Sequence, residues 1–288
     1  MELRVLRYFT AVVTERNISR AAERLHVSQP TISRQLQDLE DELGVTLFNR
    51  GSRTIELTKA GEYFAAQARQ ILALTDKTVA NIQQDQGITG EVFIGSAEAP
   101  MMATVAKAIQ TLSQTAPQVQ TRLYSTDAND VRRRMQAGLL DFGVVMEPTD
   151  KTGYHFLQLP GTTQWGVLVR RDSALGQKSV ITPADLQGQR VIMSQQKGAA
   201  ALIADWLGTS TIQYTTVATY NLLYNASLLA AAGVGTVLAL AGIINTAATN
   251  LIFVPLSPTV AVHASLIWSQ DMPLSPAAAA FLAAIKKD

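Results

Sequence analysis

The sequence SRAAERLHVSQPTISRQLQDLEDELGVTLFNR, residues 19–50, decides the fold of the N-terminal part of this 288-residue chain. Apolar residues in its second half follow one another at steps of four, three and four, which predicts a helix with one buried stripe. That stripe consists of Ile32, Leu36, Leu39 and Leu43. Ser28 is placed to cap the start of the helix, Pro30 falls in its first turn, and Gly44 is placed to end it.

A shorter helix precedes this one, with Ser19 as its candidate N-cap. Its buried side would hold Ala21, Ala22 and Leu25. A connection of three residues, 26–28, separates the two helices, and a further helix with an apolar stripe comes before both: Leu3, Leu6, Phe9 and Val13. Two helices joined so tightly predict a helix-turn-helix.

The face of the second helix opposite its apolar stripe is polar and rich in hydrogen-bonding groups. At 100° per residue it presents Pro30, Ser33, Arg34 and Gln37, with Gln29 and Thr31 at its flanks. Short side chains allow a helix to enter the major groove, and Gln or Arg can read base edges there. A solvated helix face is the alternative, but the two-helix context favours DNA recognition.

A basic turn follows between two short apolar runs, which predicts a two-stranded wing over about residues 45–57. Arg50 and Arg53 at its tip suit phosphates or a minor groove. The alternative is a surface hairpin with two solvated arginines.

Residues 19–50, with LTKAG at 57–61, resemble the DNA-binding domain of LysR-type transcriptional regulators. The resemblance implies a winged helix-turn-helix over residues 1–58 and a dimeric or tetrameric regulator of dyad-symmetric promoter DNA, with RNA polymerase as a further partner. It also implies base and phosphate contacts from Gln29, Pro30, Thr31, Ser33 and Arg34, and a wing contact from Arg53. The acidic run 38–42 would then form a solvated face away from DNA.

Residues 59–89 are predicted to form a linker helix that begins after Thr58 as its cap. A heptad-like seam runs along it: Phe64, Ala68, Ile71, Thr75, Thr78 and Ile82. A dimer reads two half-sites where a monomer reads one, which gives a physical reason for pairing. A lone solvent-exposed helix is the alternative.

Residues 90–288 alternate short apolar runs with helical patterns, which is typical of an α/β domain. The predicted strands are 91–95, 119–124, 140–145, 164–169, 190–193, 212–217, 235–238, 251–254 and 262–268. Segments 91–96, 137–145, 183–188 and 230–235 resemble the two-lobed, periplasmic-binding-protein-like effector domain of the same family. The resemblance implies lobe one at about 91–160 and 268–288 and lobe two at about 161–267, with crossings near 159–161 and 263–268.

Ligands of open α/β sheets bind beyond the carboxyl ends of strands, where helix N-termini present free N–H groups. The candidate effector contacts at such positions are Ser96, Glu98, Thr126, Ser194, Gln195, Lys197, Thr219 and Tyr220. Lys197 suits an acidic effector, whereas Glu98 could cap a helix or pair with a cationic group. Tyr220 and Trp165 could stack on a ring. For each residue, capping or core packing is the open alternative.

The composition argues against other classes of function. The chain has no cysteine, and its three histidines lack partners at metal-ligand spacing, so we expect no metal. No nucleotide motif or catalytic constellation occurs, so we expect no cofactor and no enzyme. An exported solute-binding protein fits the second half alone, but the N-terminal helices and the charged start MELRVLRYF argue against it.

Membrane insertion is also not expected. Residues 206–270 contain no Asp, Glu, Lys or Arg, but the apolar part, 228–244, includes three glycines and is shorter than the roughly 20 residues of a spanning helix. We therefore expect a cytoplasmic regulator in which an effector closes or twists the lobes and thereby changes the spacing of the DNA-binding domains.

Overall fold

The computed structural model describes residues 1–49, 55–82, 87–208 and 211–287, except for the side chain of Lys197. The chain divides into two compact units, Met1–Ile82 and Gln83–Asp288. The first is helical with a small two-stranded sheet, and the second contains two mixed sheets. The predicted fold class is confirmed.

The described elements of the first unit match a winged helix-turn-helix. They are α1 (Leu3–Glu15), α2 (Ile18–Arg24), α3 (Gln29–Leu43), β1 (Phe48–Asn49), β2 (Glu56–Leu57) and α4 (Lys59–Ile82). Both predicted ends of α3 are confirmed: the Ser28 hydroxyl accepts the N–H of Thr31 at 3.3 Å, and Gly44 is left-handed at φ 67°. β1 pairs with β2 in antiparallel register, which confirms the base of the wing.

The predicted cap of α2 is wrong. Asn17, not Ser19, is the N-cap, and its side-chain oxygen accepts the N–H of Arg20 at 3.0 Å. Asn and Ser are comparable N-cap residues, so their identity could not decide between the two positions. The extended backbone of Asn17 places the helix start at Ile18, and Ser19 lies inside the first turn.

The core of the first unit is built around Phe9, which is fully buried. Its ring packs edge-on against Phe64 at 4.9 Å between centroids and tilted against Phe48 at 5.2 Å. Ile32, Leu36 and Leu39 of the predicted stripe of α3 are buried here, whereas its fourth member, Leu43, is 38% exposed. Ala65, Ala68 and Leu72 of α4 are buried in the same core. Burial of each large apolar side chain contributes about 1.5–3 kcal/mol. The N-terminal half of α4 therefore belongs to this core.

The C-terminal half of α4 exposes apolar side chains. Their exposed fractions are 40% for Ile71, 38% for Leu74, 47% for Val79 and 72% for Ile82. The predicted seam is thus divided between two environments, because its first members, including Ala68, pack inside the unit while Ile71 and Ile82 do not.

The expectation of a solvated acidic face is wrong for Glu40. This residue is 7% exposed, and its carboxylate accepts the N–H groups of Leu47 at 2.6 Å and Phe48 at 3.1 Å. Asp38, Asp41 and Glu42 are exposed as expected. Glu40 is buried because the chain turns back after Gly44 and brings the start of the wing against α3.

Lobe one of the second unit is a five-stranded sheet of order β4-β3-β5-β13-β6 with helices around it. Its elements are β3 (Gly90–Ser96), α5 (Met102–Thr115), β4 (Val119–Ser125), α6 (Ala128–Gln136), β5 (Phe142–Met146), β6 (Tyr154–Gln158), β13 (Ala264–Ser269) and α9 (Pro276–Ile285). Strands β3, β4 and β5 are parallel, and β13 is antiparallel to both of its neighbours. Phe142 and Phe281 are fully buried in its main core.

Lobe two is a mixed sheet of order β11-β7-β10-β8-β9, with β12 also paired to β7. Its elements are β7 (Thr163–Arg170), β8 (Arg190–Ser194), α7 (Lys197–Leu207), β9 (Thr215–Tyr220), α8 (Leu223–Ala231), β10 (Thr236–Leu240), β11 (Leu251–Pro255) and β12 (Ala261–Val262). Strands β8, β9 and β10 are parallel, so their carboxyl ends share one edge.

The return from lobe two to lobe one lies at the start of the predicted range 263–268, a few residues before the predicted end of lobe two at about 267. The apolar run 262–268 contains parts of two strands, because β12 pairs with β7 in lobe two and β13 pairs with β5 and β6 in lobe one. The crossing therefore lies at His263, and residues 264–267 belong to lobe one. Strand β6 was not predicted, and the strand predicted at 212–217 begins at Thr215.

Candidate DNA-binding surface and effector cleft

The N-terminal part of α3 forms a polar surface opposite the buried Ile32 and Leu36. Its predicted DNA contacts Gln29, Pro30, Thr31 and Arg34 are exposed, and Ser33 is half-buried. The Thr31 hydroxyl lies 2.7 Å from the hydroxyl of Ser28, so it is partly engaged in the cap. Within the described residues Arg34 makes no hydrogen bond or ion pair, and its guanidinium is available to a ligand.

Several acidic groups of this unit are matched by nearby cations. Arg7 on α1 pairs with Asp76 on α4 at 2.5 Å, Arg24 pairs with Glu15 at 2.9 Å, and the N-terminal amine pairs with Glu42 at 2.7 Å. Exposed pairs of this kind contribute little to stability. They do neutralise carboxylates that would repel a polyanion, so a unit with mixed charges can present Arg34 to DNA.

The wing tip, including Arg50 and Arg53, lies outside the described residues. The strands that lead to it place Phe48 opposite Leu57 and Asn49 opposite Glu56. The expected contacts of Arg50 and Arg53 with DNA remain predictions.

A cavity with a volume of about 280 Å³ lies between the two lobes of the second unit. Its walls come from the strand ends and helix starts of both lobes. Lobe one contributes residues in the segments 97–98, 128–132 and 146–150, and lobe two contributes Trp165, Val262 and residues in the segments 194–202, 220–223 and 240–243.

Three of the predicted effector residues line this cavity: Glu98, Ser194 and Tyr220. Trp165, which was predicted to stack on a ring, also lines it and is 6% exposed. Lys197 begins α7 beside the cavity, but its side chain lies outside the described part of the structure.

Four predicted effector residues, Ser96, Thr126, Gln195 and Thr219, do not line the cavity, and their side chains bond within their own lobe. The Ser96 hydroxyl donates to the carbonyl of Ala97 at 2.6 Å. The Thr126 hydroxyl donates to Asp130 at 3.0 Å. The amide groups of the Gln195 side chain donate to the Thr219 hydroxyl at 3.0 Å.

Arg132 on α6 is a cavity residue that the sequence did not reveal. Its guanidinium donates to the carbonyl of Asp150 at 3.0 Å and to the hydroxyl of Thr149. Among the described residues, neither its Nε nor the indole nitrogen of Trp165, which also lines the cavity, has a hydrogen-bond partner, and both are buried. A buried donor without a partner costs about 1–3 kcal/mol.

Tyr220 is held in place by its own hydrogen bond. Its hydroxyl donates to the carbonyl of Leu238 at 2.7 Å. Burial raises the pKa of Tyr220 strongly, and the negative charge of Glu98 raises it further. The phenol therefore stays neutral at physiological pH.

The two lobes touch at both rims of the cavity. At one rim the Glu98 carboxylate accepts the N–H of Leu223 at 2.6 Å, and a Cβ on Gly242 would lie 3.0 Å from the Cγ of Pro100. At the other rim a Cβ on Gly198 would lie 3.8 Å from the carbonyl oxygen of Pro148. The lobes therefore contact each other beside the cavity.

A carboxylate network stands beside the crossing at His263. Glu147 accepts from Lys151 at 2.5 Å and from the hydroxyl of Ser265 at 2.7 Å, and its N–H donates to the carbonyl of His263 at 2.9 Å. Burial raises the pKa of Glu147, but the bonds from Lys151, Ser265 and Thr149 outweigh burial and hold this pKa below its usual value. The network stabilises the charged form at the lobe junction.

The described ranges contain neither a metal-binding cluster nor a membrane-spanning helix. There, no group of three or more His, Asp or Glu side chains stands close enough to hold a metal ion. The same ranges hold no helix with both the length and the hydropathy needed to cross a membrane.

Two family models match the chain and together cover nearly all of it. Residues 3–62 match the bacterial regulatory helix-turn-helix of the lysR family, and residues 85–288 match the LysR substrate binding domain.

Curated relatives include regulators that match the whole chain and regulators that match about half of it. The Hca operon transcriptional activator HcaR of Escherichia coli is 30% identical over 295 residues, which cover 100% of this chain and 98% of HcaR. The regulator ClcR of Pseudomonas putida is 40% identical over 144 residues, but this match spans 50% of this chain and 49% of ClcR.

Solved structures agree with the fold. The LysR family transcriptional regulator CbnR superposes with a TM-score of 0.77 over 100% of this chain and 99% of CbnR, at 24% identity. CbnR in complex with its target DNA gives 0.76 at the same identity. Full-length BenM is 26% identical and gives a TM-score of 0.54 over 100% of this chain and 96% of BenM.

Proposed function

Because this chain belongs to the LysR family of transcriptional regulators, we propose that it binds a dyad-symmetric promoter site as a homodimer, or as a tetramer of paired dimers, in the bacterial cytoplasm. Membership makes it a DNA-binding regulator with an effector-binding domain rather than an enzyme. Action at a promoter implies contact with RNA polymerase, which we include as a partner.

The exposed start of α3 is the observation that carries DNA recognition. Gln29, Pro30, Thr31, Ser33 and Arg34 project from a helix whose opposite side is fixed in the core. Such a helix enters the major groove as a rigid body, so its polar side chains meet base edges without a large loss of conformational entropy. Arg50 and Arg53 on the wing add phosphate or minor-groove contacts in the same proposal.

The exposed apolar side chains of α4 support self-association. Ile71, Leu74, Val79 and Ile82 recur at spacings that place them on one broad helix face. A second copy of α4 covers this face most simply, since an equal and self-complementary stripe meets it across a two-fold axis.

The cavity between the lobes is the proposed effector site. It combines apolar walls with Glu98, Ser194, Tyr220 and the unpartnered donors of Trp165 and Arg132. A mostly apolar cavity with a few convergent polar groups is typical of small-molecule sites. The effector then acts by its different affinity for closed and open lobes.

The decisive experiment is a footprint on the DNA that flanks the gene, at two salt concentrations, with the wild type and Arg34→Ala. We expect a protected, dyad-symmetric site whose occupancy falls with salt and is lost in the variant. Arg4→Ala is the matched control, because Arg4 pairs with Glu2 on the surface of the same unit. Protection that Arg34→Ala leaves unchanged contradicts the proposed contact.

A further inference from the structure

The loop after β3 carries a carboxylate from lobe one into lobe two. Glu98 accepts the backbone N–H of Leu223, the first residue of α8, at 2.6 Å. The two residues stand 125 positions apart in the chain. The bond therefore exists only while the lobes are together.

Helix α8 needs a partner for its first N–H groups. An α-helix leaves its first four N–H groups without intrahelical partners, and its N-terminus carries a partial positive charge. The N-cap residue of α8, Leu222, has no side chain that can accept them. By contrast, α6 is capped from within its own lobe by Asp127, which accepts the N–H groups of Asn129 and Asp130 at 2.9 and 3.0 Å.

The surroundings strengthen the bond between Glu98 and Leu223. Leu223 is 3% exposed and Glu98 is half-buried, so water competes weakly for either partner. Tyr220, the polar neighbour at this rim, already donates its hydroxyl to Leu238 and offers Glu98 no alternative there. Pro100 lies against Gly242 next to the bond, so the same loop is docked by shape as well as by charge.

We propose that Glu98 is a built-in tether: its carboxylate occupies the anion-binding end of α8 and holds the cleft closed when no effector is present. This inference rests on the proposed function, in which the cleft is the effector site. An effector that carries a carboxylate competes with Glu98 for the Leu223 amide. When such an effector binds, its carboxylate replaces that of Glu98 at the Leu223 amide. The bond between the lobes is then lost, and their spacing is no longer fixed by it.

Amide hydrogen exchange of the full-length protein, without DNA or effector, tests the tether. We expect Glu98→Ala to speed exchange at the start of α8 by about tenfold, the effect of losing a hydrogen bond to a charged group. Exchange should also rise around Gly198 at the opposite rim, since opening the lobes exposes both rims. Glu98→Gln, which keeps an acceptor without the charge, should lie between the two.

Asp127→Ala is the matched control, because it removes a carboxylate cap that lies within one lobe. It should speed exchange at the start of α6 and leave α8 unchanged. An excess of acetate should restore protection of α8 in Glu98→Ala, whereas neutral acetamide should not.

Unchanged exchange at α8 in Glu98→Ala overturns the tether, and equal rescue by acetamide or none by acetate overturns the anion site. Neither result bears on DNA binding, which the footprint measures separately. If hydrogen exchange supports the tether but the footprint finds no promoter site, the proposed function is contradicted and the tether is not.

Discussion

The DNA-binding unit and the effector unit use polar residues in opposite ways. In the first, stability and the proposed recognition involve different side chains: Ile32 and Leu36 are buried, while Arg34 on the same helix is exposed and makes no hydrogen bond or ion pair within the described residues. In the second, cleft residues such as Glu98, Tyr220 and Arg132 also bond to the protein. Substitutions should therefore separate binding from stability in the first unit and combine them in the second.

Glu40 is the exception in the DNA-binding unit, and its removal should have the largest effect. Glu40→Ala leaves the buried N–H of Leu47 and the half-buried N–H of Phe48 without their acceptor. We expect the free energy of unfolding of this unit to fall by about 3 kcal/mol, as for two bonds to a charged group. Circular dichroism reports both units, whereas tryptophan fluorescence reports the second alone, because Trp165, Trp206 and Trp268 all lie there.

The exposed Asp41→Ala is the control for Glu40 and should leave both signals unchanged. If Glu40→Ala and the wild type have the same free energy of unfolding, the carboxylate does not stabilise the wing.

Arg34→Ala tests the separation of binding from stability most directly. We expect DNA affinity to fall by about 1–3 kcal/mol if Arg34 reads a base, with no change in thermal unfolding. A binding titration on the footprinted site and a circular dichroism melt measure the two quantities. A lower melting temperature with unchanged affinity would reverse the roles assigned to the two faces of α3.

Ile82→Asp tests whether self-association, like DNA binding, can be weakened without a loss of stability. Ile82 is 72% exposed, so the subunit fold should tolerate the charge while the proposed dimer weakens by about 2 kcal/mol through loss of apolar burial. Sedimentation equilibrium measures the dissociation constant. Val180→Asp, at an exposed apolar position in lobe two, is the control, and an equal effect of both variants would argue against α4 as the interface.

Glu147 should give the smallest effect, visible as a change in pH dependence. Its pKa in the folded protein lies below the ordinary value of 4.5, so its stabilisation is present above that pH and is lost as the pH falls through the lower folded value. Glu147→Gln should reduce stability at neutral pH and flatten acid unfolding followed by tryptophan fluorescence. Asp172→Asn is the control, because Asp172 pairs with Arg170 at an exposed site. An acid profile identical to the wild type would exclude a contribution from Glu147.

The fold was predictable where local chemistry decides it. Ser28 and Gly44 fixed the ends of α3 because capping depends on near neighbours. Strand β6 was missed because it is an edge strand with an exposed Phe156, which gives no simple alternation. The return crossing could be placed only within 263–268 and not at His263 itself, because the residues on both sides are apolar and only tertiary pairing assigns them to different sheets.

The site was predictable only in part. The rule of strand ends located Glu98, Ser194 and Tyr220, since that rule follows from topology. It could not tell that Thr126 turns inward to Asp130, because this depends on a side-chain partner four residues away. Arg132 was beyond the rule, because its place in the cavity depends on the fold of the loop at 148–150.

Helices α3 and α4 are expected to move together. The first half of α4 is packed in the same core as α3, and Arg7 on α1 pairs with Asp76 farther along α4. With 24 residues the helix is about 36 Å long. A tilt of about 5° at its far end therefore moves α3 by about 3 Å, close to the roughly 3.4 Å rise of one base pair.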